Sequence, residues 1–140
     1  MFFEIKPYIG VGPIEFGMTI DLVRKVIGGE VKSFMKTEES ETYTDAFIGK
    51  GIHVNYNRLG NCEAVEFGRP AEPLFMGNKL IGVPFKKIKK LFEAFDSSLD
   101  IDDTGFTSFE LGAGIYVPTL KKSLMEPVEG IIVFEKGYYD

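Results

Sequence analysis

Apolar residues recur along this chain with two different periods, and the period switches at intervals. Ile20, Val23, Val26 and Ile27 fall on one side of a 3.6-residue repeat, which predicts a short helix. Thr19 is placed to cap its start and Gly28 to end it. Phe85, Ile88, Leu91, Phe92 and Phe95 form a second helical stripe, with Pro84 suited to its first turn. Lys86, Lys87, Lys89 and Lys90 fill the side opposite that stripe. Elsewhere the pattern alternates. It predicts strands over 42–48 and 51–56, joined at the tight Gly49-Lys50-Gly51 turn, and a third over 64–67. Residues 106–111, 114–117 and 128–134 predict a second set of three, with a longer charged loop over 118–127. The connecting segment 68–77 carries Pro70, Pro73 and Gly77 but also Leu74, Phe75 and Met76, so it is expected to pack down.

The two sets rhyme. Val23 matches Ile88, Lys25 matches Lys90, Val26 matches Leu91 and Ile27 matches Phe92, an offset of 65. Tyr43-Thr44 matches Phe106-Thr107, and Ile48-Gly49-Lys50-Gly51-Ile52-His53-Val54 matches Leu111-Gly112-Ala113-Gly114-Ile115-Tyr116-Val117, an offset of 63. Glu63-Ala64-Val65-Glu66-Phe67 matches Glu129-Gly130-Ile131-Ile132-Val133-Phe134 at an offset near 66. The reading is an α+β fold, with two tandem repeats of a helix plus a three-stranded antiparallel meander, over 9–68 and 77–135, forming one domain across 1–140. Helix followed by meander excludes a doubly wound sheet, which alternates strand and helix.

Composition fits that picture. The 140 residues are 44% hydrophobic and 26% charged, and the 13 Phe, having no polar handle, are expected mostly in the core. A single cysteine, Cys62, leaves no partner for an intramolecular bridge and mildly favours a reducing compartment. The first residues lack the basic start and apolar run of a signal peptide, and no stretch reaches the ~20 apolar residues of a membrane helix, so the cytoplasm is the expected location. A net charge of −5 disfavours direct nucleic-acid binding and suits a basic protein partner.

Catalytic signals are sparse. His53 is the only histidine, set mid-strand between Ile52 and Val54, where a partly exposed strand residue is expected. Carboxylates cluster at Glu38, Glu39 and Glu41, at Asp96, Asp100, Asp102 and Asp103, and at Glu126 and Glu129. The run from Asp100 to Gly105 lacks the twelfth-position glutamate of a calcium loop, that place being Leu111. Gly10, Gly12 and Gly17 are not followed by the Gly-Lys-Ser/Thr of a phosphate loop. No catalytic residue, cofactor or metal site is expected. The adjacent Tyr138 and Tyr139 suit either an interface or the closing of the core.

The stretch from Ile9 to Thr19, the strand from Glu63 to Phe67, and the ending from Pro127 to Asp140 resemble immunity proteins of bacterial contact-dependent growth inhibition and related polymorphic toxin systems. The two-repeat layout is also similar to that of β-lactamase-inhibitory proteins. The helix opening Gly17-Met18-Thr19 is similar to that of small outer-membrane assembly lipoproteins. The first resemblance implies an inhibitor that neutralises a cognate toxin domain by stoichiometric binding. Many such toxins are nucleases with basic clefts, and carboxylates would take the place of phosphates there. The expected contact residues are then Glu38, Glu39, Glu41, Asp100, Asp102 and Asp103, with Tyr138 and Tyr139 as aromatic anchors, on a monomer or weak homodimer. Other readings are a non-catalytic adaptor and a small hydrolase using His53.

Overall fold

The computed structural model describes residues 3–140. Three short strands come first, β1 (Phe3–Lys6), β2 (Gly10–Val11) and β3 (Ile14–Glu15), and lead into α1 (Ile20–Ile27). Four strands follow: β4 (Val31–Phe34), β5 (Thr44–Phe47), β6 (Ile52–Tyr56) and β7 (Cys62–Phe67). The hairpin β8 (Pro73–Phe75) and β9 (Asn78–Lys79) leads into α2 (Phe85–Glu93). Then come β10 (Asp100–Asp102), β11 (Gly105–Ser108), β12 (Ala113–Tyr116), a 3-10 turn over Leu120–Lys122, and β13 (Gly130–Phe134). The architecture is α+β, two helices with two sheets.

The larger sheet runs β10-β11-β12-β13-β7-β6-β5-β4, antiparallel throughout. Its centre is the pairing of β7 with β13, in which Val65 faces Val133 and Phe67 faces Ile131. The smaller sheet runs β3-β2-β1-β8-β9 and is antiparallel except where β1 lies parallel to β8.

Strand residues alternate between two faces. On the inner face Ile52, Val54, Val65, Phe67, Phe106, Ile115, Ile131 and Val133 are buried in one core with Val23 and Ile27 of α1 and Phe85, Ile88 and Phe92 of α2. Phe92 meets Phe106 with ring centroids 5.2 Å apart and Phe75 at 4.7 Å, so α2 is wedged between the two sheets. Phe3 packs on Phe67 at 5.3 Å, bringing the smaller sheet onto the same face.

The helix signals behave as their chemistry dictates. The Thr19 hydroxyl accepts from the Leu22 amide at 3.3 Å, and Gly28, at φ 73°, ends the helix by donating to the Arg24 carbonyl. Pro84 brings no side-chain cap to α2. Its first amides donate instead to backbone carbonyls of the following loop, Phe85 to Glu126 at 2.8 Å and Lys86 to Leu124 at 2.9 Å. Phe95, assigned above to the apolar stripe, lies beyond the helix end and is half exposed, although its ring still meets Phe75 at 5.3 Å.

Four strands, not three, follow each helix. β4 and β10 escape the alternation rule because they are the sheet's edges. The β10 side chains are all exposed and none on β4 is fully buried, so nothing enforces an apolar period. The linker does pack down, since Phe75 is buried in the core.

One charged group sits inside this apolar layer. Asp45 of β5 is completely buried on the inner face, and Arg24 of α1 donates to it twice, Nε to Oδ2 and Nη2 to Oδ1, each at 2.8 Å. The Tyr56 hydroxyl donates to Oδ2 at 2.9 Å. Burial alone would raise the Asp45 carboxyl, but the bonds from Arg24 and Tyr56 and the guanidinium charge outweigh it and hold the group below the usual carboxylate range. Burial and the same bond push the Tyr56 hydroxyl upward. Replacing Asp45 by Asn leaves the guanidinium without its counter-charge. Asp45→Asn should cost about 2–3 kcal/mol in urea unfolding at pH 7, toward the low end for a buried pair because the Arg24 side chain is 40% exposed. A depressed carboxyl stabilises the fold fully above its unfolded value, about 3.9. That contribution is lost as pH falls through the folded value. The wild type should therefore lose stability in acid more steeply than Asp45→Asn.

Candidate functional site

The outer face of the larger sheet is unevenly covered: Thr44, Asn55, Ala64 and Phe134 are buried there, and its two halves differ. On the β4–β7 side the face is closed by a polar chain. Thr44 Oγ1 donates to Asn55 Oδ1 at 2.8 Å, and Asn55 Nδ2 donates to Glu66 Oε2 at 2.9 Å and to the Tyr138 hydroxyl at 3.4 Å. Lys36 reaches over from the loop after β4 to pair with Glu66. Burial, followed by the Glu66 charge, raises the Tyr138 hydroxyl to about 12, so it remains protonated at neutral pH.

Tyr138 and Tyr139 are held there by aromatic packing. The Phe134 ring stacks on Tyr138 with centroids 5.9 Å apart and meets Tyr139 edge-on at 5.0 Å. Tyr139 also meets Phe109 at 6.0 Å. Behind them Tyr8 packs edge-on to Phe134 at 6.1 Å, and its hydroxyl donates to the Phe109 carbonyl. Tyr138 is half buried and closes the packing, whereas Tyr139 remains 55% exposed.

On the β10–β13 side the face is nearly bare. Gly105, Gly114 and Gly130 fall there on three adjacent strands, beside Thr107 and Ile132. Tyr116 stands between two of those glycines, paired with Gly105 on one side and Gly130 on the other, and is 52% exposed. With no side chains on the glycines, a groove of about 340 Å³ opens, lined by Glu66, Thr107, Gly114, Tyr116, Ile132 and Tyr139, with Asp102 at its rim. Exposed tyrosines beside carboxylates, on rigid strands, provide shape, apolar area and hydrogen-bonding capacity for another macromolecule.

The acidic residues singled out from sequence do not converge. Asp100 and Asp102 share the outer face, paired with Thr107 and Gly105. Asp102 accepts from the Thr104 amide at 2.8 Å and so fixes the β10–β11 turn. Asp103, one residue on, turns to the other side and pairs with Lys121 at 3.4 Å. Glu38, Glu39 and Glu41 lie in the loop between β4 and β5, at the opposite edge of the sheet. Seven inter-strand steps of about 4.8 Å put the two edges about 34 Å apart as measured along the sheet. Glu41 is paired with Arg58 at 2.8 Å. Asp96 is structural: it accepts from Ser98 at 2.8 Å and Ser108 at 2.7 Å and anchors the end of α2 to β11.

His53 and Cys62 do not meet. His53 is exposed on the outer face with its ring edge-on to Phe34, 5.9 Å away, whereas Cys62 is buried in the core and its thiol is pushed up to about 12 by burial and by Glu135. Among the described residues, no group of three His, Cys, Asp or Glu could hold a metal ion, and no helix is long and apolar enough to cross a membrane. Tyr116 was readable as an outward residue from its position between Ile115 and Val117. The glycine-floored groove was not, since it depends on which strands become neighbours. Comparisons with protein-family models, curated proteins and solved structures returned no match.

Gly112 positions the aromatic group. Its φ is 68°, and an added Cβ would lie 2.9 Å from the Tyr8 ring and 3.0 Å from the Phe134 carbonyl oxygen. Gly112→Ala should cost about 1–3 kcal/mol in thermal or urea unfolding. It should also increase tyrosine exposure, measured by near-ultraviolet circular dichroism.

Proposed function

We propose that this chain is a non-catalytic inhibitor of immunity type, which neutralises a basic bacterial toxin domain in the cytoplasm by stoichiometric binding through the outer sheet face. The observation that carries the reading is the groove with Tyr116 and Tyr139 exposed beside Asp100, Asp102 and Glu66, on a face left open by the rest of the chain. Tyrosine anchors flanked by carboxylates suit a cationic cleft: the rings supply buried area and the acids speed encounter. The net charge of −5 works in the same direction.

We read the scaffold as two tandem repeats in one domain, each a hairpin, a helix and a four-stranded meander. The same stitching before each helix supports this. Gly17 donates to the Cys62 carbonyl and Cys62 to that of Met18; correspondingly Gly82 donates to Val128 and Val128 to Val83. Thr19 bridges Asn61, and Pro84 bridges Pro127. Under this reading the open groove lies mainly on the second repeat, with Glu66 and Phe67 of the first at its side, and the two acidic sets do not act as one.

The test is titration calorimetry and growth protection against a basic toxin domain found encoded beside this chain. Tyr116→Ala and Tyr139→Ala should each weaken binding about 10–30-fold. The Asp100→Asn/Asp102→Asn double variant should slow association and flatten its salt dependence, while changing Glu38, Glu39 and Glu41 to Gln has a smaller effect. Full affinity and protection in both tyrosine variants would exclude this face as the binding surface. Absence of any complex with that domain would overturn the inhibitor reading.

A further inference from the structure

A second groove, of about 640 Å³, lies on the opposite side of β10, between α2, the 3-10 turn and the loop that follows it. Its floor is apolar: the fully buried Phe85 with Ile101, Leu120 and Leu124. Ile101 and Leu124 are 49% and 57% exposed, so the molecule leaves this apolar area facing water. The wall is not a loose loop. The Leu124 and Glu126 carbonyls accept the first two amides of α2, and Lys122 and Ser123 are bonded back to Thr119 and Leu120. The cavity is therefore formed before any ligand arrives.

The rim carries Lys86, Lys89, Lys90 and Lys121, together with the acids Glu93, Asp102 and Asp103. Lys89 lies 3.7 Å from Glu93 and Lys121 3.4 Å from Asp103, leaving Lys86 and Lys90 without an acidic partner among the described residues. We propose that this groove binds an amphipathic carboxylate, a free fatty-acid-like molecule whose chain covers the floor and whose head group pairs with Lys86 and Lys90. The volume falls within the range of small-ligand sites, about 300–1,000 Å³. An ammonium is a compact point charge suited to a single carboxylate head. The apolar floor selects against a small hydrophilic anion, and the unpaired ammonium groups of Lys86 and Lys90 select against a neutral hydrocarbon. The proposal does not rest on the inhibitor reading: Asp102 borders both grooves, but Lys86, Lys90 and Leu124 line only this one of the two.

The test is titration of the full chain with dodecanoate below its micellar concentration, with dodecanol and acetate as comparison ligands. One saturable site is expected, about tenfold weaker for dodecanol, and silent for acetate. Lys86→Gln/Lys90→Gln should weaken dodecanoate about tenfold and reduce its salt dependence. Leu124→Asp should weaken it at least about tenfold, since it places a charge on the exposed floor. Unchanged thermal unfolding of both variants would show that they fold. Tyr116→Ala should bind dodecanoate as the wild type does. Equal affinity for dodecanol, insensitivity to Leu124→Asp, or binding only to phosphatidylglycerol vesicles or to an acidic amphipathic peptide would each overturn the proposal.

Discussion

The antiparallel pairing of β7 with β13 carries the geometry of the whole molecule. It joins a strand from the middle of the chain to the last strand, Ala64 opposite Phe134 and Val65 opposite Val133, in the middle of an eight-stranded sheet. Register on such a sheet is unforgiving, since a slip of one residue would turn Val65 and Phe67 outward and Glu66 inward. Here the inner face is filled from both sides of the centre, by Val23 and Ile27 from α1 and Phe85, Ile88 and Phe92 from α2. The helices therefore hold the register as much as the backbone bonds do. The fully buried carboxylate of Asp45 is tolerated in that layer because Arg24 comes from the helix directly over it.

The same alternation leaves the outer face as whatever the inner face does not require. On β4–β7 the outward residues Thr44, Asn55 and Glu66 bond to one another, and Asn55 bonds to Tyr138. On β10–β13 several are glycine or small, and the sheet is bare. Tyr116 has room to lie against Gly130, which compensates in part for the missing side chain. A rigid open face bordered by anchored aromatics follows from these choices, with no further device needed to create it.

Much of this was written in the alternation and little of it in the charges. The helices and strands β5, β6, β7, β11, β12 and β13 are legible because each must bury one side against the core. β4 and β10 are not, because an edge strand has only one bonded neighbour and here lies exposed, so residues such as Lys32 and Asp102 carry no burial signal. The acidic run does not form one surface, for a related reason. Asp102 and Asp103 are adjacent in sequence, yet one lies at the rim of the outer groove and the other pairs with Lys121 on the far side. A run of charge in a sequence therefore says nothing about a surface until the strand that carries it has been identified. The Lys86–Lys90 run behaves likewise. Lys86, Lys89 and Lys90 border the apolar groove, whereas Lys87 turns toward Val83 and Leu91.

The loop over 118–127 shows how one half of such a scaffold acquires a feature that the other lacks. Before β7 the chain turns tightly, with Asn57 Oδ1 accepting from Leu59 at 3.0 Å and Asn61 at 3.1 Å. Before β13 it makes a longer excursion through the 3-10 turn. Both routes end in the same bonds, Cys62 to Met18 and Val128 to Val83. Those bonds fix where the last strand begins, so the length of chain between them does not disturb the sheet, and the entropic cost of the longer route is small. The excursion is then free to lend its carbonyls to the start of α2, which no side chain caps. Its Leu120 and Leu124 come to rest against Phe85 and Ile101 and wall in a cavity. The backbone bonds that cap the helix and the side chains that line the groove belong to the same few residues, so capping α2 and building that wall are one structural event.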